Sequence, residues 1–139
     1  MLERPARQRS PGRVRLGTSP ARGVAPRACA ARFLADPLLD QGRPVTIALP
    51  VFDNWESNPN TDTTGLIPMP LPESVLAGGH EMCATGYAWD PDFAGGGYLR
   101  IRNSWGTRWA PASPAAPGYG ALPFLYVDRY GTEAWTTDV

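Results

Sequence analysis

The sequence predicts an antiparallel sheet of the α+β or all-β type with few short helices and long loops, and three observations lead there. Sixteen prolines and fifteen glycines in 139 residues disfavour a helical bundle and favour short strands joined by turns. From Val45 to Val51, apolar residues alternate with small ones, the period of a strand with one buried face. Further strand-like runs follow between loop-forming stretches, whereas capping signals mark only one short helix. A hydrophobic share of 42% against 19% charged residues excludes wholesale disorder and allows one packed core.

Residues 1–28 form an arm of Arg, Pro, Gly, Ser and Ala with no period of 2 or 3.6, expected to be disordered. Residues 1–27 hold seven of the thirteen arginines and one acid, Glu3, so a net charge of zero hides a basic tail before a mildly acidic globule, 29–139. The arm lacks aromatic residues for stacking on bases, so no nucleic-acid partner is expected, and the plain reading is a leader without function. Order is expected from about residue 30. Asp36-Pro37 reads as an N-cap followed by proline, with Leu38 and Leu39 inside a one- to two-turn helix and Gly42 past its end. A strand over 44–52 follows. Residues 53–79, with turn signals at Asn58-Pro59 and Thr64-Gly65, read as a long surface excursion with little regular structure. Strands are expected over His80–Tyr87, Tyr98–Asn103, Phe124–Asp128 and Glu133–Thr136, with loops at Pro91–Gly97 and Ala110–Pro117.

Several function classes find no support. No apolar run approaches the ~18 residues of a membrane span, and no membrane partner is expected. The first residues show no secretory signal, which leaves the compartment open. Cys29 and Cys83 make no disulfide framework, and no metal-ligand spacing, phosphate loop or dinucleotide fingerprint is present, so no metal or cofactor is expected. Cys83, inside an apolar strand, reads as core.

Two places could hold chemistry. His80 is the one histidine, and Gly78 and Gly79 before it leave the approach to its ring open. Asn103 ends a later strand in Asn103-Ser104-Trp105-Gly106-Thr107-Arg108-Trp109. An asparagine carbonyl can accept from one imidazole nitrogen and fix the ring, leaving the other nitrogen for a nucleophile. The bland alternatives are a structural histidine and an aromatic cap on a sheet edge.

Gly79-His80, through Gly86-Tyr87, to Tyr98-Leu99-Arg100-Ile101-Arg102-Asn103-Ser104-Trp105-Gly106 and Trp109 resembles the C-terminal half of the papain-like cysteine peptidases. The likeness extends to Gly118-Tyr119 and the 122–126 run, and upstream to Gly42–Val45 and the 64–70 loop, where it has the flavour of bacterial members. It covers about residues 34–136. The resemblance implies an antiparallel β half-barrel that packs across a cleft on a helical half. His80 would be the base and acid, Asn103 its orienting partner, and Trp105 the shield of their hydrogen bond. Gly78, Gly79 and Glu81 would border a substrate pocket, with Glu81 favouring a basic substrate side chain. The implied substrate is a polypeptide.

The family's nucleophile sits in a Gln…Cys-Gly-Ser-Cys-Trp stretch, and nothing like it occurs here. Cys29, 51 residues before His80, lacks Gly, Ser or Trp neighbours and is not expected to be the nucleophile. This reads as half of a catalytic domain, inactive alone, whose helical half or a partner chain is missing. The alternative is a degenerate half-domain that binds peptides or a partner chain without cutting; a third reading makes the Arg-rich arm the active part. Without a second half, Phe52, Trp105 and Trp109 are expected to form an exposed apolar patch, leaving the chain marginally folded.

Overall fold

The computed structural model describes residues 12–15 and 38–136. The architecture is mostly β. Strands β1 (Gly12–Arg15), β2 (Val45–Phe52), β3 (Leu76–Trp89), β4 (Gly97–Arg102), β5 (Tyr119–Pro123) and β6 (Glu133–Thr136) form one sheet in the order β1-β6-β2-β3-β4-β5. All the strand pairings are antiparallel. Two short helices complete it, α1 (Pro59–Thr64) and α2 (Phe124–Tyr130).

In β2 the alternation acts as read: Val45, Ile47, Leu49 and Val51 are buried and face the core. Pro50 fits in this strand because β6 pairs only with Val45–Ala48, so β2 is an edge at Pro50 and no partner needs its missing N–H. β3 is long because it serves two neighbours in succession. Its first part pairs with β2 as far as Ala84, and its second part pairs with β4 from Cys83 onward, across an irregularity between Ala84 and Gly86. The core lies on one face of the sheet and takes in Leu38, Leu39, Trp55, Ile67, Trp109 and the buried face of α2.

Several expectations change. Within 53–79 the turn signals Asn58-Pro59 and Thr64-Gly65 are the two ends of α1. The Asn58 side chain accepts the Asn60 N–H at 3.0 Å, Pro59 opens the helix, and Gly65, at φ 74°, closes it with its N–H on Thr61 O. Trp55, Thr61 and Ile67 from this stretch are buried, so it is less of a surface excursion than composition suggests. The Phe124–Asp128 run is helix, not strand. Buried Phe124 and Val127 fall at the i,i+3 spacing of one helix face, and the Leu125 N–H, free at the helix start, bonds to Ala94 O at 3.0 Å. β5, Tyr119–Pro123, is a strand between the expected loop ending at Pro117 and the run starting at Phe124, where no element was assigned. Cys83 is half-buried rather than core, because Met82 and Ala84 on either side take the buried face.

Of the basic arm, only Gly12–Arg15 are described; they pair with β6 and cover an otherwise open edge, where no strand was expected. The Asp36-Pro37 helix start and Cys29 lie outside the described residues. Its end is present: the Gln41 and Arg43 N–H groups bond to Leu38 O, and Gly42 turns at φ 71°. No helix among the described residues is long and apolar enough to cross a membrane.

Candidate functional site

The site grows out of the core-facing rows of two adjacent strands. On β3, Ala84 and Met82 are buried, and two residues further along the same row comes His80, opposite Leu49 of β2. On β4, Leu99 and Ile101 are buried, and the next position on that row is Asn103, just past the strand end. Cys83 pairs with Arg102, which sets Asn103 across from Met82 and diagonal to His80. Period-2 alternation thus carries two polar side chains to one end of an apolar row.

There they meet. His80 Nε2 lies 2.8 Å from Asn103 Oδ1. The same oxygen accepts the Ser104 backbone N–H at 2.7 Å, and a backbone N–H can only donate. That contact fixes which amide atom is the oxygen, so His80 Nε2 is the donor. In the neutral ring the lone pair then lies on Nδ1, on the far side of the ring from Asn103.

The surroundings hold this arrangement. Asn103 is 6% exposed, and its backbone N–H bonds to Gly118 O at 3.0 Å. The Gly118 N–H in turn bonds to Trp109 O, so the chain from Asn103 to Gly118 closes on itself. Gly118 has φ 87°, and a Cβ there would meet Gly106 O at 3.2 Å, which is why glycine stands at this crossing. Trp105 stacks on His80, with ring centroids 4.9 Å apart and planes at 27°. It is half-exposed, and buried Trp109 braces it edge-on at 5.9 Å and 89°. The bracing by Trp109 and the second donor to Oδ1 were not read from sequence; the Trp105/Trp109 pair and Pro117-Gly118 were the available signals. Two buried side-chain atoms here have no hydrogen-bond partner among the described residues, Asn103 Nδ2 and Trp109 Nε1.

Gly78, Gly79 and Glu81 border an open groove of about 630 Å3 together with His80, Leu49 and Leu76. A Cβ at Gly78 or Gly79 would meet nothing within 4 Å, so the approach is open there. Glu81 is exposed, and by strand alternation its carboxylate leaves the opposite face of β3 from the His80 ring. Cys83 is also on that opposite face; burial pushes its thiol up, and the nearby Arg102 only partly offsets this. The structure therefore brings together His80, Asn103 and Trp105 and does not add the one described thiol to them. No group of three or more His, Cys, Asp or Glu side chains among the described residues could hold a metal ion. The expected apolar patch also shifts. Trp109 is buried and Phe52 half-buried; the exposed large apolar residues are Leu71, Val75, Leu76, Trp89 and Trp105.

A mostly β chain that ends its core rows in a stacked, hydrogen-bonded His–Asn pair has the makings of a proton-transfer site. Comparison with known proteins gives that class a family. No family model matches the chain. It is 32% identical over 97 residues to an uncharacterised peptidase C1-like protein of Acanthamoeba polyphaga mimivirus, a match covering 68% of this chain and 27% of the viral protein. The crystal structure of xylellain, a cysteine protease from Xylella fastidiosa, superposes with a TM-score of 0.57 at 27% identity, covering 73% of this chain and 34% of that one. The chain is thus distantly related to the papain-like C1 peptidases and spans about a quarter to a third of the length of these relatives.

Proposed function

We propose that the chain supplies the base-bearing part of a cysteine-peptidase site that hydrolyses polypeptides. The observation that carries this reading is the Nε2···Oδ1 contact of 2.8 Å, because it fixes the ring and leaves Nδ1 as the basic nitrogen. In this reading His80 takes the proton of an attacking thiol and returns it to the leaving amine, Asn103 holds the ring in the required tautomer, and Trp105 keeps water from their hydrogen bond. The thiol is not Cys83, which leaves the other face of β3. It comes from outside the described residues, from Cys29 or from a segment or chain beyond residues 1–139. The groove beside Gly78 and Gly79 takes the peptide, while the Glu81 carboxylate, on the opposite face of β3, does not meet a side chain bound beside His80.

The test of the whole reading is intact-mass spectrometry after incubation with a peptidyl epoxide directed at papain-like thiolates, with His80→Ala in parallel. A single adduct on Cys29 that depends on His80 means a complete catalytic pair within this chain. No adduct means the thiol is supplied from beyond residues 1–139. Labelling of Cys83, or equal labelling of Cys29 with and without His80, refutes the role given to His80. Peptide binding without any adduct would favour the same surface as a binding module.

A further inference from the structure

On β4, Tyr98 and Arg100 alternate with core-facing Leu99 and Ile101, so they point to the opposite face of the sheet from His80 and Asn103. The Pro/Ala stretch after Trp109 folds over this face. It is pinned to α1 by Ala110 N–H on Asp62 O at 2.8 Å and Ala112 N–H on Thr63 O at 2.9 Å. Its tip carries only small side chains, Ser113 to Ala116, and these cannot fill the space beneath it. What remains is a formed pocket of about 240 Å3. That is below the ~300 Å3 lower end for drug-sized ligands and suits a molecule the size of one amino acid.

The lining is chemically specific. Arg100 and Asp90 both border the pocket, and they form no ion pair with each other. The Arg100 guanidinium lies over Gly86, where a Cβ would be 3.5 Å from Nη1, and it has no anionic partner among the described residues. Asp90 Oδ1 accepts only the Asp92 N–H, at 2.9 Å, and meets no cation among the described residues. Phe93 and Tyr98 stand beside them as one aromatic wall, with ring centroids 4.4 Å apart. A second hollow opens on the far side of Arg100, between Thr85 and Tyr119, so the guanidinium can be approached from either side.

We infer that this pocket binds a small zwitterion with an apolar body, an amino acid or a very short peptide. Its carboxylate meets the planar fork of Arg100, its ammonium meets Asp90, and its side chain lies on Phe93 and Tyr98. An anion alone would leave Asp90 facing it, and a cation alone would face Arg100; a molecule with both charges answers both. The pocket is on the other face of the sheet from His80 and does not depend on the peptidase reading.

The experiment is a titration of the isotope-labelled full chain with free phenylalanine, followed by amide chemical shifts. Benzoate and phenethylamine serve as single-charge probes. We expect saturable shifts confined to the neighbourhood of Asp90–Arg100 and Ser113–Ala116, with phenylalanine binding more tightly than either probe. Arg100→Gln, at an exposed position, and Asp90→Asn, at a half-buried one, each weaken it about tenfold or more, while His80→Ala leaves it unchanged. The inference is overturned if no saturable shift appears at millimolar phenylalanine, if both charge variants bind like the unaltered chain, or if a single-charge probe binds as tightly.

Discussion

Replacing Asn103 by alanine separates what this residue does for the fold from what it does for His80. The amide oxygen accepts two hydrogen bonds, from His80 Nε2 at 2.8 Å and from the Ser104 N–H at 2.7 Å. At a net ~1 kcal/mol each, their loss removes about 2 kcal/mol. Opposing this, Asn103 Nδ2 is buried with no partner, and taking an unsatisfied amide out of the interior returns about 1–3 kcal/mol. Both donors left behind can be hydrated, since Ser104 is exposed and His80 only half-buried. The two terms nearly cancel, and Asn103→Ala should change stability by no more than about 1 kcal/mol despite the residue being 6% exposed.

The assay is urea unfolding, read as a shift in midpoint at constant slope. Imidazole nitrogen spectra of the same protein should show His80 losing its single Nε2–H form and becoming a mixture of tautomers. A stability loss above ~3 kcal/mol would refute the reasoning, because it would mean that Nδ2 is satisfied and the amide is a structural linchpin. A ring unchanged in Asn103→Ala would refute the orienting role instead.

Three further outcomes follow from the packing. Tyr126 is buried and its hydroxyl donates to Pro50 O at 2.6 Å, so Tyr126→Phe strands a carbonyl and should cost about 1–3 kcal/mol in urea unfolding. Gly97→Ala puts a Cβ into the Ala88 carbonyl oxygen and the edge of the Phe124 ring, and it should destabilise by about 1–3 kcal/mol or more, whereas Gly79→Ala, with open space around it, should stay within about 1 kcal/mol. Stability should also fall at high pH. Burial raises the Cys83 thiol above its ordinary 9.0 and lifts the Tyr126 phenol further still, so above pH 9 the unfolded chain releases protons that the folded chain keeps. The contribution is present below the ordinary thiol value and disappears as pH rises through the folded one. Cys83→Ala should flatten the first part of that decline in thermal melts taken from neutral to alkaline pH.

What could be read from the sequence depended on whether a local pattern had one meaning. The Val45–Val51 alternation did: every second residue is buried, and β2 follows. Asn58-Pro59 and Thr64-Gly65 did not, because cap and turn chemistry use the same residues. Only the spacing of the two caps, which leaves the six residues Pro59–Thr64 or about one and a half turns between Asn58 and Gly65, distinguishes a helix from two turns. The Phe124–Asp128 run was ambiguous in another way. Its β-branched and aromatic content argued for strand, whereas β5 ends at Pro123 and Phe124 opens α2. The helix start is favoured by a tertiary contact, the Leu125 N–H on Ala94 O, which no local pattern encodes.

The candidate site was more legible than the fold around it, and for a physical reason. An imidazole and an amide that must meet need only the right rows of adjacent strands, and alternation within β3 and β4 specifies those rows. Counting back by twos from Ala84 gives His80, and counting forward from Leu99 gives Asn103. The same count puts Cys83, three residues from His80 on one strand, on the opposite face, and this was legible in the sequence; what its apolar neighbours hid is that Cys83 is half-buried and not core. The count cannot give the third dimension. That the Ser104 N–H chooses the amide oxygen, and that Trp109 braces the ring stacked on His80, depend on a turn that doubles back through Gly118 to Asn103. A turn of that kind, closed by one glycine at positive φ, is where substitution should detach the indoles from the imidazole while leaving the strand rows intact.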